Sequence, residues 1–201
     1  MAAPTHTIDL IAYNFNIEST DFFTTLQKAA RPSLVGESYL HTLAREGDAL
    51  TIDLLLQDGA DADAVDAQGN RPLHEAARCG HADVVQLLLD HGAKIDAKSD
   101  PLGVSALMLA IEQGHDDVVR LLVSRGASLA ARNRLNGYGV LHLAAQRGDL
   151  TTIGLLVSAG AGVFMEDRQG QTPRDHAART RNRAAEQALV KVMTHQARYL
   201  H

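Results

Sequence analysis

One dipeptide returns along this chain at a fixed stride. Leu-His occurs at Leu40-His41, Leu73-His74 and Leu141-His142, with Leu107-Met108 in the remaining slot, at intervals of 33, 34 and 34 residues. Gly-Ala keeps that stride at Gly59-Ala60, Gly92-Ala93, Gly126-Ala127 and Gly160-Ala161. So does a lone glycine at Gly47, Gly80, Gly114 and Gly148. Three markers in one register define a repeat array. In such an array each unit buries its apolar face only by stacking on its neighbours.

The stretch RPLHEAARCGHADVVQLLLDHGA shows what one unit builds. Pro72 suits the first turn of a helix, where its missing N–H has no partner to lose. Leu73, Ala76 and Ala77 form one narrow apolar face, and the small alanines admit a close neighbour. Gly80 ends this short helix in the left-handed conformation. Val84, Val85, Leu88 and Leu89 stripe a second helix, which Gly92 terminates. The polar segment AKIDAKSDPLG then reads as an extended finger leading to the next pair.

This pattern resembles the ankyrin repeat, whose consensus approximates G-x-T-P-L-H-x-A-A-x-x-G-H followed by V-x-x-L-L-x-x-G-A. The resemblance covers about residues 35–195. It implies an all-α solenoid of five stacked helix–turn–helix units, with β-turn fingers along one edge. The units fall at about 35–65, 66–99, 100–133, 134–166 and 167–195 of a repeat domain spanning 35–201. Arg71 stands where the consensus has Thr, and Ser105-Ala106 and Gly139-Val140 stand where it has Thr-Pro. The third and fourth units each carry one extra finger residue, near Ser99 and Asn133.

The last unit keeps Thr172-Pro173 but puts Arg174 at the Leu position and Arg181 at the glycine position. Glu186 falls where Ile52, Val85, Val119 and Ile153 fall. An array end has no neighbour to cover it, so polar residues at normally buried positions mark a C-terminal cap. Residues 1–34 do not match the repeat and are read as an N-terminal extension that caps the first unit. There Ile11, Tyr13, Phe15 and Ile17 alternate as a half-buried strand would, and Phe22, Phe23, Leu26 and Ala30 fit a helix.

The chemistry classes narrow quickly. A net charge of −5 offers no dominant basic field for nucleic acid. Hydrophobic stretches such as Val118-Val119 with Leu121 to Val123 are too short to span a membrane, which needs roughly 18 residues. The start shows no secretory signal pattern. One cysteine, Cys79, excludes an internal disulfide and fits a reducing, cytoplasmic setting. His41, His74 and His142 belong to the repeat motif, which implies structural hydrogen bonding at the finger base, and no metal-ligand spacing surrounds them. Cys79 lies at a helix C-terminus, the pole that disfavours a thiolate. No nucleophile elbow or phosphate-binding loop occurs. The reading is a chain without catalysis, cofactor or metal, monomeric when free.

Charge divides along the chain. Residues 1–100 hold 7 Lys and Arg against 16 Asp and Glu, while residues 101–201 hold 12 against 8. Along the fingers Asp61, Asp63, Asp66, Asp96 and Asp100 give way to Arg132 and Arg134, a gradient able to orient a partner. The resemblance implies a protein–protein interaction module, an adaptor or scaffold that binds a protein through its fingers and concave face. The alternative is a bacterial immunity-type or inhibitor protein that blocks an enzyme or toxin stoichiometrically. The register places Leu102, Val104, Arg134 and Tyr138 on the fingers, facing outward. It places Arg78, Cys79, Glu112, Gln113, Gln146 and Arg147 behind them, at the ends of the first helices.

Overall fold

The computed structural model describes residues 39–99 and 101–197. The strand and helix expected within residues 1–34, their role as a cap, and the finger residue Asp100 lie outside the described residues. Two compact units divide the chain, one ending at Lys94 and the other starting at Ile95. The first holds α1 (Tyr39–Glu46), α2 (Ala49–Gln57), α3 (Pro72–Cys79) and α4 (Ala82–Asp90). The second holds α5 (Ala106–Gln113), α6 (Asp116–Ser124), α7 (Val140–Arg147), α8 (Leu150–Ser158), α9 (Pro173–Arg179) and α10 (Arg183–Ala197). Among the described residues the only β pairing is two isolated bridges, Lys98 with Ser105 and Arg132 with Gly139. The fold is all-α, in helix–turn–helix pairs.

The Leu-His motif starts the first helix of a pair. Leu73 and Leu141 are buried in the core, while the histidine works as an N-terminal cap. His74 Nδ1 accepts a hydrogen bond from Arg71 N at 3.0 Å, and His142 Nδ1 accepts one from Gly139 N at 3.1 Å. Each satisfies a backbone donor just before the first turn. The other ring nitrogen ties the pair to the next finger: His41 Nε2 meets Asn70 O at 3.0 Å and His142 Nε2 meets Gln171 O at 3.1 Å. Where Met108 replaces histidine, Ser105 Oγ caps instead, accepting from Met108 N. In the last pair Asp175 takes over and accepts from both the backbone N and the hydroxyl of Thr172.

Packing follows the apolar stripes. In the first unit Ala76, Ala77, Val84, Val85 and Leu88 have no measurable exposure, and Leu89 is half-buried at the edge of its stripe. In the second, Leu107, Ala110, Val118, Leu122, Ala144, Ala145 and Leu156 form the matching core. The last pair ends it as expected of a cap. Ala177, Ala185 and Leu189 face inward, while Arg174 and Glu186 are partly exposed and pair at 3.9 Å.

The turn glycine answers two constraints. Gly148 ends α7 at φ 75, in the left-handed region, and an added Cβ would lie 1.6 Å from Asn182 of the next pair. Arg181 takes the same turn at φ 59. There, among the described residues, no following helix pair presses on the turn, so only the backbone requirement remains. A non-glycine residue in that conformation costs about 1–2 kcal/mol. Arg181→Gly is expected to raise unfolding stability by about 1 kcal/mol in urea titration, after the extra chain entropy of glycine offsets part of the gain.

Candidate protein-binding surface

One side chain organises each finger turn. Asp66 Oδ1 accepts from Gln68 N and Asn70 N at 2.9 and 2.7 Å, and Asp167 Oδ1 accepts from Gln169 N and Gln171 N at 2.8 and 2.9 Å. The finger before α7 has one more residue, and Asn133 Oδ1 gathers the N–H groups of Asn136, Gly137 and Tyr138. Successive fingers of the second unit join through the backbone. Arg134 N donates to Leu102 O at 2.7 Å, and Arg168 N donates to Asn136 O at 3.0 Å. Each arginine side chain lies across a glycine of the preceding finger, Arg134 over Gly103 and Arg168 over Gly137.

The finger carboxylates do not form the free gradient that their order suggests. Asp63 accepts from Lys94 N at 3.1 Å and pairs with Arg71 and with the Lys94 ammonium. Asp66 is bound into its own turn. Asp96 accepts from Ser128 N at 2.8 Å, one repeat further on. The reason is geometric, since each unit's leading N–H groups need an acceptor that the previous unit can supply. Arg132, by contrast, donates to the backbone carbonyl of Glu166, so its charge meets no carboxylate among the described residues.

The expected site residues fall into three groups. Glu112, Gln113 and Gln146 lie exposed at the ends of α5 and α7, with no side-chain hydrogen bond among the described residues. Leu102 is 47% exposed on its fingertip, Arg134 is exposed, and Val104 is half-buried. Arg78, Arg147 and Tyr138 are engaged within the chain. Arg78 pairs with the buried Glu75, which also holds Arg45 at 3.2 Å. Arg147 Nη1 donates to Glu112 O at 2.8 Å and covers Gly114, capping the C-terminus of the neighbouring helix. Cys79 is a half-buried free thiol.

Tyr138 does not face outward as the register implies. It is half-buried, stacked on His142 at 5.8 Å between centroids, and edge-on to His176 at 4.5 Å. Arg179 donates to its hydroxyl at 3.3 Å. The cause is His176, which lies one position beyond the motif register, fully buried against Asp167 at 2.9 Å. Arg179 also approaches His176 Nδ1 at 3.1 Å, which leaves Nε2 to donate to the carboxylate. With no exposed side-chain surface, the Asp167–His176 pair is a structural tie. Burial would raise the Asp167 carboxyl, but hydrogen bonds from His176 and from the Gln171 and Gln169 N–H groups outweigh it and hold the pKa at about 2.

Sequence reasoning missed Leu135, 68% exposed beside Arg134, and Phe164, 44% exposed before the last finger. Leu135 carried the same signal that singled out Leu102, an apolar residue on a polar finger. Burial pushes the His142 imidazole below its ordinary 6.5, reinforced by the charges of His176 and Arg132, against the Gln171 bond and the Asp167 charge. The unfolded chain therefore takes up this proton first. The His142 contribution is complete above pH 6.5 and is lost as pH falls through the lowered folded value. The drop in melting temperature from pH 7.5 to 5.5 is expected to be smaller in His142→Asn than in the wild-type chain.

Among the described residues no helix is long and apolar enough to cross a membrane. A family model for ankyrin repeats in three copies matches residues 8–99 and again 40–133, and a single-repeat model matches 136–168. The first match begins within the segment read as a non-repeat extension. No curated protein matches the chain. With the stride, the histidine caps, the paired helices and the family matches in agreement, the chain belongs to the ankyrin repeat family.

Proposed function

We propose that this chain is a stoichiometric protein-binding module, an adaptor or scaffold, that takes its partner on the fingers and on the exposed ends of the first helices. Ankyrin repeats are in general protein–protein interaction modules, which gives the reading its base. The observation that carries it to these residues is a contrast between neighbours. Arg78, Arg147 and the finger aspartates are tied to the chain's own carbonyls, carboxylates or N–H groups. Glu112, Gln113 and Gln146 are exposed with their side-chain polar groups uncommitted, on a frame fixed by the stack. Rigid placement of such groups lowers the ordering cost of association.

Affinity capture from native lysate, read by mass spectrometry, tests this directly. The wild-type chain is expected to retain a protein that Gln113→Arg with Gln146→Arg loses at least tenfold, with unchanged circular dichroism. Equal retention by both chains would place the surface elsewhere. Capture of nothing above background would contradict the module itself.

A further inference from the structure

The fingers of the second unit differ from those of the first in what they turn outward. Leu102 and Leu135 expose 47% and 68% of their surfaces on neighbouring tips. The backbone bond from Arg134 N to Leu102 O holds those tips side by side at 2.7 Å. Arg168 Nη1 reaches Leu135 O at 3.5 Å, so a guanidinium sits beside the more exposed leucine. Large apolar side chains on solvent-facing turns mark interaction sites when a polar rim surrounds them.

The charge around these leucines has one dominant sign. Arg132 and Arg168 bond to backbone carbonyls, which leaves both charges without a carboxylate partner among the described residues. Asp96 is turned to Ser128 N and Asp167 is buried against His176. Glu166 remains the exposed carboxylate of the last two fingers, against Arg132, Arg134 and Arg168. Arginine also presents a planar fork of donors that matches a carboxylate.

We infer that these fingertips bind an acidic peptide segment, with an apolar side chain seated between Leu102 and Leu135 and flanking carboxylates held by Arg134 and Arg168. This rests on the binding-module reading and specifies its partner's chemistry. The leucines supply apolar burial, while the arginines set direction and accelerate encounter. The contact is salt-sensitive because its charges are exposed.

The test selects phage-displayed random dodecapeptides on the full-length chain and measures the enriched sequences as synthetic peptides by fluorescence anisotropy. Enriched peptides are expected to place Asp or Glu on both sides of a Leu, Ile or Phe. Their affinity should fall at least tenfold in Arg134→Glu with Arg168→Glu, and again in Leu135→Asp, with melting temperature unchanged. Arg134→Lys with Arg168→Lys, which keeps the charge, should retain more of the affinity than the Glu pair, and serves as the second variant if charge reversal perturbs folding. Peptides without acidic enrichment, or acidic peptides indifferent to both finger variants, would overturn the inference. If such peptides instead lose binding in Gln113→Arg with Gln146→Arg, the fingertip assignment fails while the module reading stands. A library that enriches nothing also overturns the fingertip inference, and the module reading falls with it only if lysate capture is empty too.

Discussion

Asp167→Ala is expected to lower unfolding stability by about 3 kcal/mol, because it removes the acceptor of a fully buried His176 and of two turn N–H groups at once. Asp167→Asn separates the two roles. Asn133 already organises the preceding finger with an amide oxygen, so asparagine should hold the turn and lose mainly the tie to His176. Its expected cost is about 1–2 kcal/mol. The same carboxylate makes stability depend on acid. Its folded pKa of about 2 lies below the ordinary 3.8, so its contribution is complete above about pH 4 and is lost as pH falls toward 2. Urea midpoints between pH 4 and pH 2 should fall more steeply in the wild-type chain than in Asp167→Asn. Parallel slopes, or a loss below 1 kcal/mol in Asp167→Ala, would show that the pair does not tie the last finger to its helix.

Leu88→Ala and Leu122→Ala are each expected to cost about 2–5 kcal/mol, since both side chains are fully buried in second helices. That is a large share of the roughly 5–15 kcal/mol typical of a whole domain. In a repeat array each unit is held by its neighbours, so the loss should appear as a reduced urea midpoint and as earlier proteolysis around the altered pair. A cost below 1 kcal/mol at both positions would mean that the helix stripes are assigned to the wrong faces.

The stacking frame was legible in the sequence because every marker has a local cause. Glycine marks the left-handed turn, histidine or its replacement marks the helix start, and paired Val and Leu mark the second helix. Even the cap was readable, in Arg174, Arg181 and Glu186 at positions that elsewhere are apolar or glycine. The site was less legible. A repeat register says which residues share a position, but it does not say which of them bond to the next repeat. Arg147 and Gln146 are adjacent in sequence, yet one caps α5 and the other stands in solvent. Asp63 and Asp96 read as surface charge until the next unit's N–H groups are placed beside them. Tyr138 was misjudged for a similar reason. Its neighbour His176 lies one residue off the motif and belongs to a different repeat, so no local pattern announces their contact.

The central claim is that the stack supplies the frame and that the uncommitted residues at its first-helix ends and fingertips supply binding. Calorimetric titration of the captured partner measures this most directly. The account predicts one partner per chain and at least a tenfold loss of affinity in Gln113→Arg with Gln146→Arg. It predicts no change in Arg120→Glu, which alters an exposed residue of the second helix α6. Unchanged affinity in the first-helix variant, together with a loss in Arg120→Glu, would contradict it.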